Sequence, residues 1–353
     1  MTRQREVTMS DYYSDSWMGS PWNVGEDDFP ATSTTAEQVK FLLNYAVLAP
    51  SRHNVQPWLF KIEKNVVEFY ADRSRALPAA DPEDREMIIS CGAALTNFLL
   101  AARHYGFVTN VEIHRDPGKP DFLARISLEK GWVATPEEQK LFHAIKKRRT
   151  NRQLFQDRAV PAALLSRLSE IAAREAAVFQ VVQAEEDRYR LASLIAAGDH
   201  MLWEDERFRE EIARWTRRED IHSLDGVPDY AHGSGDMASY LGPLRIRTFM
   251  ESEETKKGHH MAAGSPVFAV VLTYSDTRFD WLAAGQAIEK IVLYARSEGV
   301  WTSYFSQPVE IDRLRKAIQD ILGRRAFPQL VLRMGYGPEV PPTARRNVSE
   351  VIL

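Results

Sequence analysis

Two long apolar segments with the same glycine spacing constrain the fold of this 353-residue chain more than any other feature. One runs from about Glu83 to His104 around Gly92, and the other from about Arg278 to Ser297 around Gly285. In each, a capping glycine follows the inner glycine by 14 positions, and a β-like segment comes next. A glycine inside a helix lets a second helix approach closely. The repeat therefore predicts an internal duplication with these two helices packed at its centre.

The other periodic segments predict an α+β chain of two diverged halves. A length above the usual single-core limit of roughly 250–300 residues favours the same division. Residues 1–33 are interpreted as an N-terminal arm, 34–135 as the first half and 136–353 as the second half. Residues 199–262 are rich in charge, Gly and Ser and show no clear period, so they are interpreted as an insertion or lid.

Composition excludes several classes of function. The chain has 45 Lys+Arg against 49 Asp+Glu and no basic block, which gives no electrostatic basis for binding nucleic acid or a membrane surface. A single cysteine, Cys91, excludes an internal disulfide framework and a thiolate zinc cluster. No metal-ligand pattern stands out. The N-terminal region has no apolar core typical of a secretory signal, so a cytoplasmic location is expected.

A polar turn between a predicted helix and a predicted strand is the first candidate for chemistry. Its sequence, APSRHNVQPW, covers residues 49–58, and its two prolines restrict the backbone. Asn54 and Gln56 each offer donors and an acceptor to a planar heterocycle. The turn is interpreted either as a rigid polar shelf for a ligand or as an exposed, capped helix end.

A basic segment, KRRTNRQLF at residues 147–155, is the second candidate. Because Arg148, Thr150 and Arg152 alternate, an extended backbone would direct all three side chains to one side. Two guanidinium groups and a hydroxyl on one face suit a phosphate. The alternative is a solvated basic helix end that is stabilised by the helix dipole.

Both segments resemble parts of the FMN-dependent nitroreductases. RRTNRQLFQDRAVPAALLSRLSEIA is similar to the opening of that family, and LLNYAVLAPSRHNVQPWLF is similar to the segment that normally comes next. Here the two pieces are in inverted order, one in each half. This layout resembles the Acg-type tandem branch of the family, in which two halves are fused in one chain.

The resemblance implies a nitroreductase-like α+β fold, with a mixed sheet flanked by helices in each half and the two halves paired as an internal pseudo-dimer. It also implies one FMN per chain, since each half has kept only one of the two motifs. A monomer is favoured because the family's dimer interface would be internal. Arg345 in the C-terminal tail corresponds to a phosphate-binding arginine of the family, and Arg346 is an equally reachable alternative. The residues implied in cofactor binding are Arg148, Thr150, Arg152, Arg345, Pro50, Ser51, Arg52, Asn54, Gln56, Ser306 and Gln307.

The function implied by the resemblance is two-electron, ping-pong transfer from NAD(P)H through FMN to an electron-poor small molecule of the nitroaromatic or quinone class. FMN would carry the chemistry, so no protein residue is expected to be catalytic, and Arg52 or Gln56 would stabilise the reduced flavin. The alternative is a flavin-binding or storage protein whose FMN is covered by residues 199–262. Aromatic residues in that segment would plug the site: Trp203, Trp215, Tyr230 and Tyr240. A third possibility is a pseudoenzyme that has lost FMN.

Overall fold

The first half forms a four-stranded sheet with helices against it. The fold is that of a computed structural model, and the residues it describes are 20–116, 118–217, 223–228, 231 and 265–353. A capping box between Thr34 and Glu37 starts the first helix. The elements of this half are α1 (Thr35–Ala46), β1 (Trp58–Glu63), β2 (Val66–Ala71), α2 (Arg85–His104), β3 (Phe107–Ile113) and β4 (Phe122–Lys130).

The second half contains a second four-stranded sheet and more helices. Its described elements are α3 (Pro136–Ile145), α4 (Ala162–Arg174), β5 (Ala177–Val182), α5 (Glu185–Glu204), α6 (Glu206–Trp215), β6 (Thr216–Arg217), β7 (Val227–Pro228), β8 (Val267–Thr273), α7 (Arg278–Ser297), β9 (Trp301–Phe305), α8 (Gln307–Glu310), α9 (Asp312–Leu322) and β10 (Phe327–Gly335). The two long helices predicted around Gly92 and Gly285 are confirmed as α2 and α7, with ends within two residues of those expected.

The two four-stranded sheets have the same topology. Their strand orders are β1-β2-β4-β3 and β5-β8-β10-β9, so each follows the order first, second, fourth, third along the chain. In both, a helix of 20 residues, α2 or α7, connects the second strand to the third. All strand pairings inside these sheets are antiparallel. The predicted mixed character comes from two isolated parallel bridges, one between Phe60 and Ile352 and one between Thr150 and Thr302. The shared topology agrees with the predicted duplication.

Helices α2 and α7 pack through their inner glycines. A Cβ added to Gly285 would lie 2.9 Å from the Cα of Gly92 and would overlap the carbonyl oxygen of Ile89. A Cβ added to Gly92 would lie 3.0 Å from the Cα of Gly285 and would overlap the carbonyl oxygen of Leu282. Ile89 and Leu282 each precede their glycine by three residues, so the contacts are reciprocal, as a two-fold axis requires. The prediction that these glycines lie at the centre of the pseudo-dimer is confirmed.

The central position of α2 also explains its composition. Among the described residues it is the single helix long and apolar enough to cross a membrane, and 83% of its apolar window is buried inside the protein. Its neighbours are α1, α3 and α7, which surround it. The helix therefore has the environment of a core element.

The C-terminal tail crosses from the second half to the first. The backbone N–H of Phe60 donates to the carbonyl of Val351 at 2.8 Å, and that of Leu353 donates to the carbonyl of Phe60 at 2.8 Å. The tail thus covers the exposed edge of β1. This crossing carries Arg345 and Arg346 to the end of α1.

The interpretation of residues 199–262 as lacking regular structure is wrong for their first part. Helix α5 continues to Glu204. Helix α6 then begins at Glu206, where Asp205 caps its first turn, and ends at Trp215. Phe208 and Ile212 of α6 are buried against Val55, next to the shelf. Tyr230 and Tyr240 lie outside the described residues. In the first half, a two-residue turn joins the first two strands, β1 and β2. In the second half, residues 183–266 separate the corresponding strands, β5 and β8, and we propose this wider range as the insertion.

Candidate functional site

A cavity lies where the two halves meet. The space it encloses, together with the space open to solvent at its mouth, amounts to about 700 Å³. The first half contributes the turn after α1, and the second half contributes the segment after α3, part of the insertion and the C-terminal tail. The lining residues are Pro50, Ser51, Asn54, Arg148, Arg149, Thr150, Arg152, Gln153, Val227, Ala231, Val340, Pro341, Thr343 and Arg345.

Two buried arginines converge at one end of this cavity. Nη2 of Arg148 donates to the carbonyl oxygen of Leu48 at 3.0 Å, and Nη2 of Arg345 points to the same oxygen at 3.4 Å. Leu48 lies just past the C-terminal end of α1, where carbonyls lack helical partners and cations are favoured. Arg149 and Arg152 add two more guanidinium groups, and the described lining contains no acidic residue. The cavity is therefore built for an anion.

A buried carboxylate lies beside Arg148, outside the residues that line the cavity. Glu289 of α7 has no exposed surface, and its Oε1 lies 3.7 Å from Nε of Arg148. Burial raises the pKa of the Glu289 carboxyl to about 7, although Arg148, Asn97 and Arg345 act in the opposite direction. Its charge thus changes near neutral pH, directly under the cationic end of the cavity.

Replacement of Glu289 by glutamine is expected to change how stability depends on pH. Between the ordinary carboxyl pKa of 4.5 and about 7, the folded protein holds a proton on Glu289 that the unfolded chain has lost. The free energy of unfolding should therefore fall as pH rises through this window, by roughly 3 kcal/mol in total from this group. Denaturant unfolding from pH 4.5 to 8 should show a flatter profile for Glu289→Gln. Parallel profiles for the two proteins would contradict the assignment.

A further buried arginine, Arg333, fixes the backbone of the basic segment. Arg333 of β10 has no exposed surface, and its Nη2 donates to the carbonyls of Asn151 and Gln153, both at 2.9 Å. Burial and the nearby Arg152 lower the pKa of Arg333 to about 10. Its guanidinium also lies over the ring of Phe155, 4.2 Å from the centroid. The signal for this residue in the sequence is a lone arginine within the apolar segment FPQLVLRMG, which indicates a buried guanidinium.

The basic segment lies against the cavity, and four of its arginine and threonine side chains line it. Arg148, Thr150 and Arg152 all line it, and so does Arg149, which the alternation argument left out. Nη1 of Arg152 donates to the carbonyl of Ala231 in the insertion at 3.0 Å, and burial lowers the pKa of Arg152. The segment therefore contacts both the cavity and the insertion.

The polar turn after α1 has an unusual backbone. His53, Asn54 and Gln56 have positive φ values of 46°, 54° and 53°, a region that non-glycine residues seldom occupy. Such strain persists where surrounding contacts hold it in place. Pro50, Ser51 and Asn54 line the cavity, which places there three of the five residues of this turn that were implied in cofactor binding.

Asn54 joins three parts of the chain. Its Nδ2 donates to the carbonyls of Gly226 at 2.9 Å and Ala344 at 3.0 Å. Its Oδ1 accepts from Nη1 of Arg345 at 2.9 Å. The amide thus holds the insertion and the tail against the first half, and it orients a cavity arginine.

Gln56 does not line the cavity, contrary to the sequence prediction. Its side chain has no exposed surface; Nε2 donates to the carbonyl of Leu224 at 2.8 Å, and Oε1 accepts from the N–H of Arg346 at 2.8 Å. The amide is engaged by backbone partners in the insertion and the tail. Arg346 likewise lies outside the cavity lining, because its guanidinium donates to the carbonyls of Gln56 and Glu350. Of the two tail registers, Arg345 is the one at the cavity.

Arg52 is also placed away from the cavity lining. Its guanidinium pairs with Glu86 of α2 at 3.0 Å and with Glu310 of α8 at 2.9 Å, and Nε donates to His53 at 3.2 Å. Two carboxylates from distant elements therefore hold it. The predicted role of Arg52 beside a reduced flavin is not supported by this placement.

Ser306 and Gln307 lie at the start of α8, and neither is part of the cavity lining. The backbone of α8 packs closely on α5, since a Cβ added to Gly198 would lie 3.0 Å from the carbonyl carbon of Gln307. The insertion helix α5 therefore holds this segment. Their predicted contact with a cofactor is not supported by this placement.

Sequence reasoning missed several lining residues in the insertion and the tail. These residues form no sequence motif; they are Val227 and Ala231 in the insertion and Val340, Pro341 and Thr343 in the tail. They are brought to the cavity by long-range hydrogen bonds from the shelf and the basic segment. No local signal in the sequence could have identified them.

Comparisons with known proteins agree with this organisation. A model of the nitroreductase family matches residues 145–336, just over half of the chain. Two proteins of Mycobacterium tuberculosis H37Rv that carry the provisional name NAD(P)H nitroreductase are similar over most of their length. Rv3131 is 30% identical, covering 90% of this chain and 91% of its own, and Acg is 28% identical, covering 91% and 97%.

Solved nitroreductases are also similar to this chain. The FMN-dependent nitroreductase NfnB of Mycobacterium smegmatis, crystallised with NADPH, is 14% identical and covers 60% of this chain and 96% of its own, with a TM-score of 0.37. The family assignment depends on the family model and the curated relatives. The chain belongs to the nitroreductase family, in the branch that includes Acg.

Proposed function

We propose that this protein is an FMN-dependent NAD(P)H oxidoreductase that binds one FMN per chain in the cavity between its halves. The observation that carries the proposal is the convergence of Arg148 and Arg345 on the carbonyl of Leu48, in a cavity whose described lining has no acidic residue. Membership of the nitroreductase family and the names of the curated relatives support the same conclusion.

The donors of the cavity fit a phosphorylated flavin. Four guanidinium groups would hold the phosphate, with the hydroxyl of Thr150 beside them. The turn at Pro50, Ser51 and Asn54 would provide a rigid surface on the opposite half. Because Arg52, Gln56, Ser306 and Gln307 are engaged elsewhere, we leave them out of the proposed contacts.

FMN held by these residues would supply two-electron redox chemistry between NAD(P)H and an electron-poor acceptor of the nitroaromatic or quinone class. The protein binds the phosphate, orients the ligand and sets the local charge through the buried Glu289. A ping-pong cycle follows if donor and acceptor use the same open face in turn. A monomer is proposed because α2 and α7 already form an internal interface.

The insertion favours a second candidate, a flavin-binding or storage protein with little turnover. Val227 and Ala231 line the cavity. The side chains of Gln56, Asn54 and Arg152 donate to the backbone carbonyls of Leu224, Gly226 and Ala231 in turn. A segment held in this way would restrict access of NAD(P)H and acceptor. The two candidates share the same cavity and differ in the exposure of the bound flavin.

Purified protein saturated with FMN is expected to hold one FMN per chain and to have the mass of one chain by light scattering. Under anaerobic conditions, NADPH or NADH should bleach the flavin absorbance, and turnover with a nitroaromatic or quinone should give parallel double-reciprocal plots. Two FMN per chain, or none, would contradict the shared cavity. Reduction by dithionite without reduction by either nicotinamide would favour the storage protein.

A further inference from the structure

The N-terminal arm contacts the arginine cavity through one aromatic residue. Trp22 lies in a short 3-10 helix, Pro21–Asn23, and is 7% exposed. The guanidinium carbon of Arg149 lies 3.9 Å from the centroid of its ring, and that of Arg345 lies 5.4 Å away. Its Nε1 donates to the carbonyl of Thr343 at 2.9 Å. Trp22 therefore touches three residues of the cavity lining without being part of the lining itself.

This contact has a defined electrostatic effect. The electron-rich face of an indole attracts a guanidinium, and burial strengthens the attraction because water does not compete. Arg149 and Arg345 repel each other, so a shared aromatic contact helps to hold both beside one cavity. The hydrogen bond to Thr343 also fixes the backbone two residues before Arg345.

The arm is anchored at further points on both halves. Glu26 lies 3.2 Å from Nε2 of His104 and 3.4 Å from Nε2 of His143. The ring of Phe29 stacks on that of Tyr105 at 4.2 Å. These contacts hold the arm on α2 and α3, so the position of Trp22 is determined by the body of the protein.

We propose that Trp22 is a positioning residue for the phosphate subsite and that it gives the cavity its preference for flavins with a terminal phosphate over unphosphorylated flavins. This inference rests on the proposed function, because FMN is the ligand whose phosphate the arginines would bind. The arm is thereby part of the binding site, and its role is to fix Arg149 and Arg345 for a phosphate.

The test compares FMN with riboflavin, which lacks the phosphate. Trp22→Ala is expected to weaken FMN binding about tenfold and to change riboflavin binding less than about twofold. Trp22→Phe keeps an aromatic face and should recover most of the FMN affinity. Trp132→Ala is the matched control: Trp132 also lies under an arginine, Arg103 at 5.4 Å, but Arg103 is not among the described lining residues, whereas Arg149 and Arg345 are. The control should leave the ratio of the two affinities unchanged.

Each outcome has a defined meaning. Equal weakening of FMN and riboflavin, or no change in either, would overturn the role of Trp22. Binding of inorganic phosphate, measured by calorimetry on wild type and Trp22→Ala, separates this inference from the proposed function. Wild type that binds phosphate more tightly than the variant but does not bind FMN would overturn the proposed function and support the positioning role. Wild type that binds neither would overturn both.

Discussion

Replacement of Arg345 by glutamine is expected to raise the dissociation constant for FMN about 100-fold, because it removes one of two converging cations. The buried guanidinium lies beside that of Arg148 at the carbonyl of Leu48, and no carboxylate in the described lining could replace the ligand phosphate as its partner. Titration of the apoprotein with FMN, followed by quenching of flavin fluorescence, measures the change.

Two further variants define the cause of this loss. Arg345→Lys keeps the charge but not the planar, two-pronged geometry, so it should recover only part of the affinity. Arg324→Gln removes an exposed arginine elsewhere on the second half and should bind FMN like wild type. Since Arg345 also donates to Asn54, the free energy of unfolding of each variant must be measured. A folded Arg345→Gln protein with unchanged FMN affinity would contradict the phosphate site.

The sequence predicted the parts of the fold that depend on local pattern. The repeated glycine spacing identified helices α2 and α7 and the contact between Gly92 and Gly285. Helix α6 was missed because its apolar positions, Phe208 and Ile212, stand alone among charged residues. Its signal was present in the spacing of those two residues after a capping Asp205.

The site was predictable only where chemistry and contact lie in the same short segment. The basic segment after α3 was identified correctly as part of the cavity, since its arginines both carry the charge and line the cavity. The positions of Arg52 and Gln56 could not be predicted in this way. Their partners, Glu310 and Leu224, are 258 and 168 residues away along the chain. A polar motif shows which hydrogen bonds its residues could make, but the fold decides whether a ligand or a distant backbone group receives them.

Replacement of Gly285 by alanine is expected to destabilise the protein by about 3 kcal/mol or more, although alanine favours a helix over glycine by about 1 kcal/mol. Steric overlap decides the sign. The new Cβ would overlap the carbonyl oxygen of Ile89 and lie 2.9 Å from the Cα of Gly92, so backbone rather than a flexible side chain must move. Denaturant unfolding at constant pH measures the loss.

The same change should also reach the cavity. Glu289 follows Gly285 by four residues and lies on the same side of α7, where it faces Arg148. A shift of α7 away from α2 would move this carboxylate relative to Arg148 and disturb the position of that guanidinium, so the variant should bind FMN more weakly while still folded. Gly299→Ala is the matched control: its φ of +79° makes a side chain unfavourable, but nothing lies within 4 Å of the added Cβ. It should cost about 1–2 kcal/mol and leave FMN affinity unchanged. If Gly285→Ala proved as stable as wild type, the close packing of α2 on α7 would be wrong, and with it the internal pseudo-dimer that forms the cavity.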